Sequence, residues 1–439
     1  MSDLVKVNVR KTQCKGDIAL QSSTKEELIE RVTQLEAHVV QLRNLLKSRA
    51  DDQHATQKNQ RPFDYKKFAK RHVLLHVAYT GWDFNGFVVQ EQTEKTVEAE
   101  LFKAFEKTCL LQNRETSNYH RCGRTDKGVS SFGQVISIDL RSNLTSGTGV
   151  FIPEDHYLSE KVGKNKEEIP YAFLLNKVLP KDIRVIGWAP VAEGFSARFD
   201  CLQRTYRYYF PKGNLDIDRM CSSFEFMVGE HDFRNLCKMD VGNGVVNFKR
   251  RLISLNVEPV AGIQDGETDG YTVYRLTVVG QAFLWHQIRC IVALLFLIGR
   301  GHEEPTVIKD LLDVDKNPRK PQYSMASELP LNLFHCSYPD SIKWIYHEEA
   351  LLHVINDYQT MWTQHTIKAS MLKEMLSEVE KLTKNKVSNQ SKDLIQGVMP
   401  KNYIPLLKRQ QCDSLEQRIE HYAKRKRIEI VDEATAEKR

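Results

Sequence analysis

One stretch constrains this chain more than any other: His120-Arg121-Cys122-Gly123-Arg124-Thr125-Asp126-Lys127-Gly128-Val129-Ser130-Ser131-Phe132-Gly133-Gln134, which runs directly into the alternating residues Val135 to Leu140. It sets one carboxylate, Asp126, between two glycines and among three cations, Arg121, Arg124 and Lys127, at the entrance to a strand. Gly123 and Gly128 permit a tight turn and let a ligand reach the backbone. An aspartate is a poor nucleophile in water, but one kept ionised by cations and shielded from solvent can attack carbon. A solvated basic turn before a strand fits the same residues. Phosphoryl transfer through Asp126-Lys127-Gly128 would need a buried apolar strand leading into the aspartate, and the preceding residues are polar.

Gly123-Arg124-Thr125-Asp126-x-Gly128-Val129 followed by Gly133-Gln134-Val135 resembles the active-site motif of the TruA family of tRNA pseudouridine synthases. By that resemblance the family's catalytic nucleophile falls on Asp126.

Composition narrows the class without naming it. A chain of 439 residues has ample material for a core, and 41% hydrophobic with 27% charged residues describes an ordinary soluble protein. The net charge of +6 makes no polycation, so a nucleic-acid surface must come from local clustering of Lys and Arg. Nine cysteines, scattered and without C-x-x-C or Cys/His ligand spacing, favour reduced thiols in an intracellular compartment and argue against a structural zinc. Met1 to Gly16 carries no continuous apolar core, and the longest apolar run, Cys290 to Ile298, is too short to span a bilayer. That run is read as a buried helix, and no membrane partner is expected.

Along the chain, residues 1–22 lack periodicity and are expected to be disordered. Leu28, Val32, Leu35, Val39, Leu42 and Leu46 form a heptad seam over 23–48, with Thr24 and Glu27 as a capping box. A dimerising coiled coil and a helix docked on its own body are both open. Residues 49–69 read as a linker. His72 to Tyr79 alternates as a strand and runs into the aromatic loop Tyr79-Thr80-Gly81-Trp82-Asp83-Phe84-Asn85-Gly86-Phe87, whose rings close a core edge or stack on bases. Thr96 caps a helix with the stripe Val97, Leu101, Ala104, Phe105 and Thr108. Residues 142–168 read as an insertion, with Lys161, Lys164 and Lys166 as a phosphate-facing patch or a solvated loop. Tyr171 to Val178 follows as a helix and Ile183 to Val191 as a strand.

In Arg204-Thr205-Tyr206-Arg207-Tyr208-Tyr209-Phe210, period two places Arg204, Tyr206, Tyr208 and Phe210 on one strand face. Basic and aromatic residues there suit a flipped base and its phosphates, and a Tyr-rich run is also simply a good strand. Gly229-Glu230-His231-Asp232-Phe233 opens a further helix, with Asp232 as its cap and His231 as a packed histidine in preference to a catalytic dyad. Strands around Ile253–Val257 and Tyr274–Val278 form a hairpin through Asp265 to Gly270. Arg289 stands in the first turns of the apolar helix, where a guanidinium meets an unfavourable helix dipole and a desolvation cost. A carboxylate partner or snorkelling to solvent would relieve it. Beyond the strand near Leu331–Leu333 comes a helical and basic extension, 341–439. Its Lys424 to Arg427 run reads as a nuclear-import signal, an RNA contact or a solvated helix end.

The resemblance spans roughly Lys70 to Tyr338 and implies an α+β fold: two ferredoxin-like halves, 70–190 and 191–340, forming one central, mostly antiparallel sheet flanked by helices. It implies isomerisation of uridine to pseudouridine in tRNA without cofactor or metal. Asp126, Tyr206 and Arg289 are the implied catalytic residues, with Arg289 pairing to Asp126. Arg124, Lys127, Arg204, Tyr206, Phe283 and His286 are expected to bind substrate. The segment Arg234 to Val241 is similar to the eukaryotic branch that acts at tRNA positions 38 and 39. The resemblance also implies the tRNA anticodon arm as partner, a homodimer, and a protein shared between nucleus and cytoplasm. The same chemistry at other positions or in messenger RNA, and a non-catalytic tRNA-binding or chaperone protein, remain alternatives.

Overall fold

The computed structural model describes residues 63–90, 93–158, 167–260, 270–383, 390–397 and 402–426. The heptad segment 23–48, the residues 1–22, Lys161, Lys164 and Lys166, and the hairpin turn near 265 lie outside the described residues.

In the first half, β1 (Ala69–Tyr79) is buried over nearly its whole length. Helix α1 (Val97–Lys107) starts where the Thr96 hydroxyl accepts from the Ala99 amide, and its Val97, Leu101, Ala104 and Phe105 are buried as their spacing requires. The short β2 (His120–Arg121) precedes the Asp126 loop and β3 (Ser130–Ser142) follows it. Next come β4 (Val150–Phe151), α2 (Tyr171–Asn176) and β5 (Ile183–Pro190). The insertion is therefore not wholly solvated: β4 pairs with β1, and Glu168 binds Arg71 at 3.0 Å.

The second half contains β6 (Gln203–Pro211), α3 (Ile217–Cys221), β7 (Gly229–Asp232), β8 (Lys249–Pro259), β9 (Val273–Gly280), α4 (Gln287–Gly299), α5 (Val307–Leu312) and β10 (Leu331–Ser337). A 34-residue helix, α6 (Glu348–Lys381), and α7 (Leu415–Lys426) follow. The helix expected at Gly229 is instead strand β7, paired antiparallel with β8. Gly229 adopts φ +107, and Asp232 accepts from the Arg234 amide at 3.0 Å, but only a single 3-10 turn follows. Capping chemistry was legible there; the turn's failure to propagate was not.

The ten strands among the described residues join one sheet in the order β4-β1-β3-β10-β6-β9-β8-β7, with β5 on β1 and β2 on β3. Every described pairing of named strands is antiparallel except β10 with β3, where Asn332 faces Ser130 and Leu333 faces Ser131. This short parallel ladder joins the halves, in agreement with the expected two-part, mostly antiparallel α+β sheet. It also requires a glycine: a Cβ on Gly133 would lie 2.4 Å from the Phe334 carbonyl. The Asp126 loop enters β3 at that junction.

Separate cores support the halves. Val73, Leu75, Leu101, Phe105 and Ile138 belong to the first, and Phe210, Ile291, Leu295 and Phe296 to the second. Helix α4 is buried on almost every side, as its apolar run predicted, and each large side chain so buried contributes about 1.5–3 kcal/mol. No helix among the described residues is long and apolar enough to cross a membrane.

Candidate active site

The loop carrying Asp126 is held from beneath by the aromatic loop after β1. Phe87 N–H donates to the Thr125 carbonyl at 3.1 Å, Gly128 N–H to the Phe84 carbonyl at 3.2 Å, and Gly81 N–H to Ser130 Oγ at 2.9 Å. A Cβ on Gly81 would collide with the Val129 carbonyl at 1.9 Å, so the two loops can approach this closely only through glycine. The Tyr79 and Thr125 hydroxyls share a 2.7 Å hydrogen bond below. Phe84 and Phe87 close a core edge, whereas Trp82 is exposed. Arg121 does not reach Asp126; it pairs with the buried Glu98 at 2.9 Å and fixes the start of the loop. Arg124 and Lys127 are exposed on either side of the carboxylate.

Asp126 itself is partly buried and is met from the other half of the sheet. Trp285 Nε1–H donates to Oδ1 at 3.2 Å, and His286 Nε2 lies 3.2 Å from Oδ2. Both rings are aimed by the backbone of His286, whose φ of +59 is left-handed and costly for a residue with a Cβ. Burial pulls the Asp126 carboxyl upward, but the hydrogen bond and charge of His286, the Trp285 indole and the charge of Arg289 outweigh it and hold the carboxyl below its ordinary range. Asp126 is thus kept as a carboxylate by aromatic donors more than by the loop's own cations. His286 Nδ1 is buried and has no hydrogen-bond partner among the described residues.

The expected ion pair of Arg289 with Asp126 is not present. Arg289 Nη2 donates to Glu328 Oε2 at 2.9 Å and Nε to the Ala326 carbonyl at 2.7 Å, so the buried guanidinium does find a carboxylate, but a different one. The helix start faces the irregular segment leading into β10, and Glu328 Cγ is packed where a side chain on Gly128 would stand, 2.9 Å from that Cβ position. Gln396 Nε2, from the C-terminal extension, donates to the same Glu328 oxygen at 2.5 Å. That extension runs beside 325–328, with Ser327 N–H donating to Leu394 and Gln396 N–H to Met325.

Tyr206 is half-buried on β6, its ring edge-on to Phe283 at 5.0 Å, with its hydroxyl 4.0 Å from where a Gly123 Cβ would stand. Burial pushes its phenol strongly up, so it is a neutral phenol at physiological pH. Arg204 is not available to a phosphate: its guanidinium is buried and donates to the carbonyls of Gln281, Cys122 and Arg198 at 2.6, 3.1 and 2.9 Å. The structure therefore gathers Asp126, Tyr206, Phe283, His286, Arg124 and Lys127 around one junction and leaves Arg204 behind it. Reading the sequence missed Trp285, Glu328 and Gln396, and only the aromatic residue next to His286 carried any signal.

Lys238, in the segment Arg234 to Val241, places Nζ 4.3 Å from the Trp285 ring centre and donates its backbone N–H to the Trp285 carbonyl. That segment is therefore one residue removed from the carboxylate.

A loop of this motif, set where two antiparallel half-sheets meet, places the chain with enzymes that isomerise uridine in RNA, and a family model described as tRNA pseudouridine synthase matches residues 224–339. The chain is 45% identical over 431 residues to the human tRNA pseudouridine(38/39) synthase, covering 92% of this chain and 89% of that one. It is 37% identical over 343 residues to the Saccharomyces cerevisiae tRNA pseudouridine(38/39) synthase, covering 74% and 73%. A tRNA pseudouridine synthase A of Methanosphaera stadtmanae is 34% identical over 247 residues, covering 55% and 75%. The chain belongs to the tRNA pseudouridine synthase family.

Proposed function

We propose that this enzyme converts uridine to pseudouridine at positions 38 and 39 of the tRNA anticodon arm. The observation that carries this reading is Asp126, held as a carboxylate at the sheet junction by donors from the opposite half and flanked by exposed Arg124 and Lys127. A uridine extruded from its stack would bring C1′ to the carboxylate; the N1–C1′ bond breaks, the detached uracil turns, and C5 joins C1′ as the C5 proton leaves and N1 takes up a proton. Asp126 acts as nucleophile or as the group that assists a glycal route. Tyr206 and Phe283 offer ring surfaces to the base, and the neutral Tyr206 phenol is suited to relaying a proton. Arg289 acts through charge and through Glu328. Arg124 and Lys127 suit phosphates beside the target, and the relatives named for positions 38 and 39 support the choice of site.

The protein is further proposed to act as a homodimer in nucleus and cytoplasm. Supporting a dimer, α6 exposes Trp362, Met371, Met375 and Val379. The basic sequence at Lys424 to Arg427 supports nuclear entry.

The test is pseudouridine mapping on an unmodified anticodon arm, native protein against Asp126→Ala, with binding measured at fixed salt. Conversion of U38 or U39 by native protein, with binding but no conversion by the variant, is the expected result. Binding by native protein without conversion of any uridine would replace this reading with a tRNA-binding or chaperone role.

A further inference from the structure

Behind Tyr206 and the root of the Asp126 loop, three cysteines from distant parts of the chain converge. Cys122 follows β2, Cys201 precedes β6 and Cys336 lies in β10; all are buried, and their Sγ atoms lie within 4.8 Å of one another. Cys122 Sγ and Cys336 Sγ are 3.2 Å apart. Three thiols packed with Leu74, Val135 and Leu333 would by themselves be small apolar filling.

Arg204 makes that reading insufficient. Its guanidinium sits against the cluster, is buried, and has no carboxylate partner among the described residues, donating only to neutral carbonyls. A buried cation without a counter-charge is costly. Three thiolates around a divalent ion sum to −1, which the guanidinium would balance.

We propose that Cys122, Cys201 and Cys336 form a three-thiolate site for a thiophilic divalent ion, zinc being the ion best matched. A zinc–thiolate distance of about 2.3 Å sets sulfurs about 3.8 Å apart, which lies within the 4.8 Å that contains all three sulfurs and requires Cys122 and Cys336 to part slightly from 3.2 Å. The fourth position falls to an oxygen donor such as the Gln203 carbonyl, 3.4 Å from Cys201 Sγ. Loading displaces three thiol protons to solvent and involves no redox change. The ion would clamp the start of the Asp126 loop to β10 and to the entrance of β6, the strand that carries Tyr206. Chain spacing could not reveal such a site, because each ligand comes from a different segment.

The deciding experiment is metal analysis by mass spectrometry of the full chain, made without a polyhistidine tag and desalted from zinc-supplemented medium. About one zinc per chain is expected, as for a structural site. Cys201→Ser and Cys336→Ser should lose it while Cys412→Ser, at an unrelated thiol, retains it. Cobalt in place of zinc should show thiolate-to-metal charge-transfer absorption that is absent from both variants. Native protein carrying no metal overturns the proposal, whether its three thiols then alkylate as free groups or Cys122 and Cys336 are found as a disulfide. Since native protein alone decides the stoichiometry, a variant that fails to fold does not rescue the proposal.

Discussion

Arg289 and Glu328 form a partly buried ion pair beside the Asp126 loop, at 2.9 Å, and Gln396 from the C-terminal extension braces the same carboxylate oxygen at 2.5 Å. Arg289 therefore influences Asp126 through its field while another acid fixes where the guanidinium stands. The arrangement ties a remote part of the chain to the site's electrostatics.

Glu328→Gln keeps the side chain's size and removes its charge, so Arg289 loses its anchor. We expect kcat to fall on the order of tenfold, about 1.4 kcal/mol of barrier, with KM for the anticodon arm nearly unchanged. Single-turnover conversion and binding measured together read that split. An unchanged kcat would mean that Glu328 serves packing alone.

The acid limb of the pH profile reports the carboxylate. Asp126 is held below its ordinary range, so its ionised form persists as pH falls and is lost only below that range. In His286→Ala, the largest favourable contribution is removed while burial still pulls the carboxyl upward. The acid limb of kcat/KM should then move to higher pH, and Trp285→Phe should move it the same way by less.

How far the sequence reveals this site depends on the kind of interaction. Asp126, its two glycines and the strand after it are local, so alternation and turn chemistry expose them. Helix α4 is equally legible because a nine-residue apolar run, Cys290 to Ile298, has no solvated alternative. The pairing of Arg289 is not local: Glu328 lies 39 residues away in an unpatterned stretch, and nothing in the sequence distinguishes it from Asp126 as a partner. Arg204 misleads for a related reason, since period two correctly gives its face but not the three carbonyls that occupy it. At Gly229, strand pairing with β8 overrides a helix-start pattern, because tertiary contacts outweigh a single cap.

A second pH dependence lies in stability. His72 is buried with Nδ1 at 2.5 Å from Asp139 and Nε2 at 2.7 Å from the Phe195 carbonyl, so both ring nitrogens face acceptors. Burial alone would push its pKa down, but the Asp139 hydrogen bond, the carbonyl and nearby negative charge together raise it. The imidazolium's contribution is then complete below the ordinary histidine value of about 6.5 and is lost as pH rises through the raised one. Thermal denaturation should show Tm falling across that window. Asp139→Asn should flatten the slope and cost about 3 kcal/mol, as expected for a broken buried pair.

The last prediction concerns the route from Arg234–Val241 to catalysis. Lys238 is exposed, yet its ammonium lies over the Trp285 ring, and Trp285 donates to Asp126. A cation over an exposed indole is worth about 0.5–1 kcal/mol, so Lys238→Met should slow conversion about two- to fivefold without unfolding the chain. The same loss would follow if Lys238 merely contacted a tRNA phosphate, and a double-mutant cycle separates the two. If Lys238 acts through the indole, its substitution adds little in a Trp285→Phe background. If it acts on a phosphate, the losses add, and the salt dependence of binding weakens in Lys238→Met.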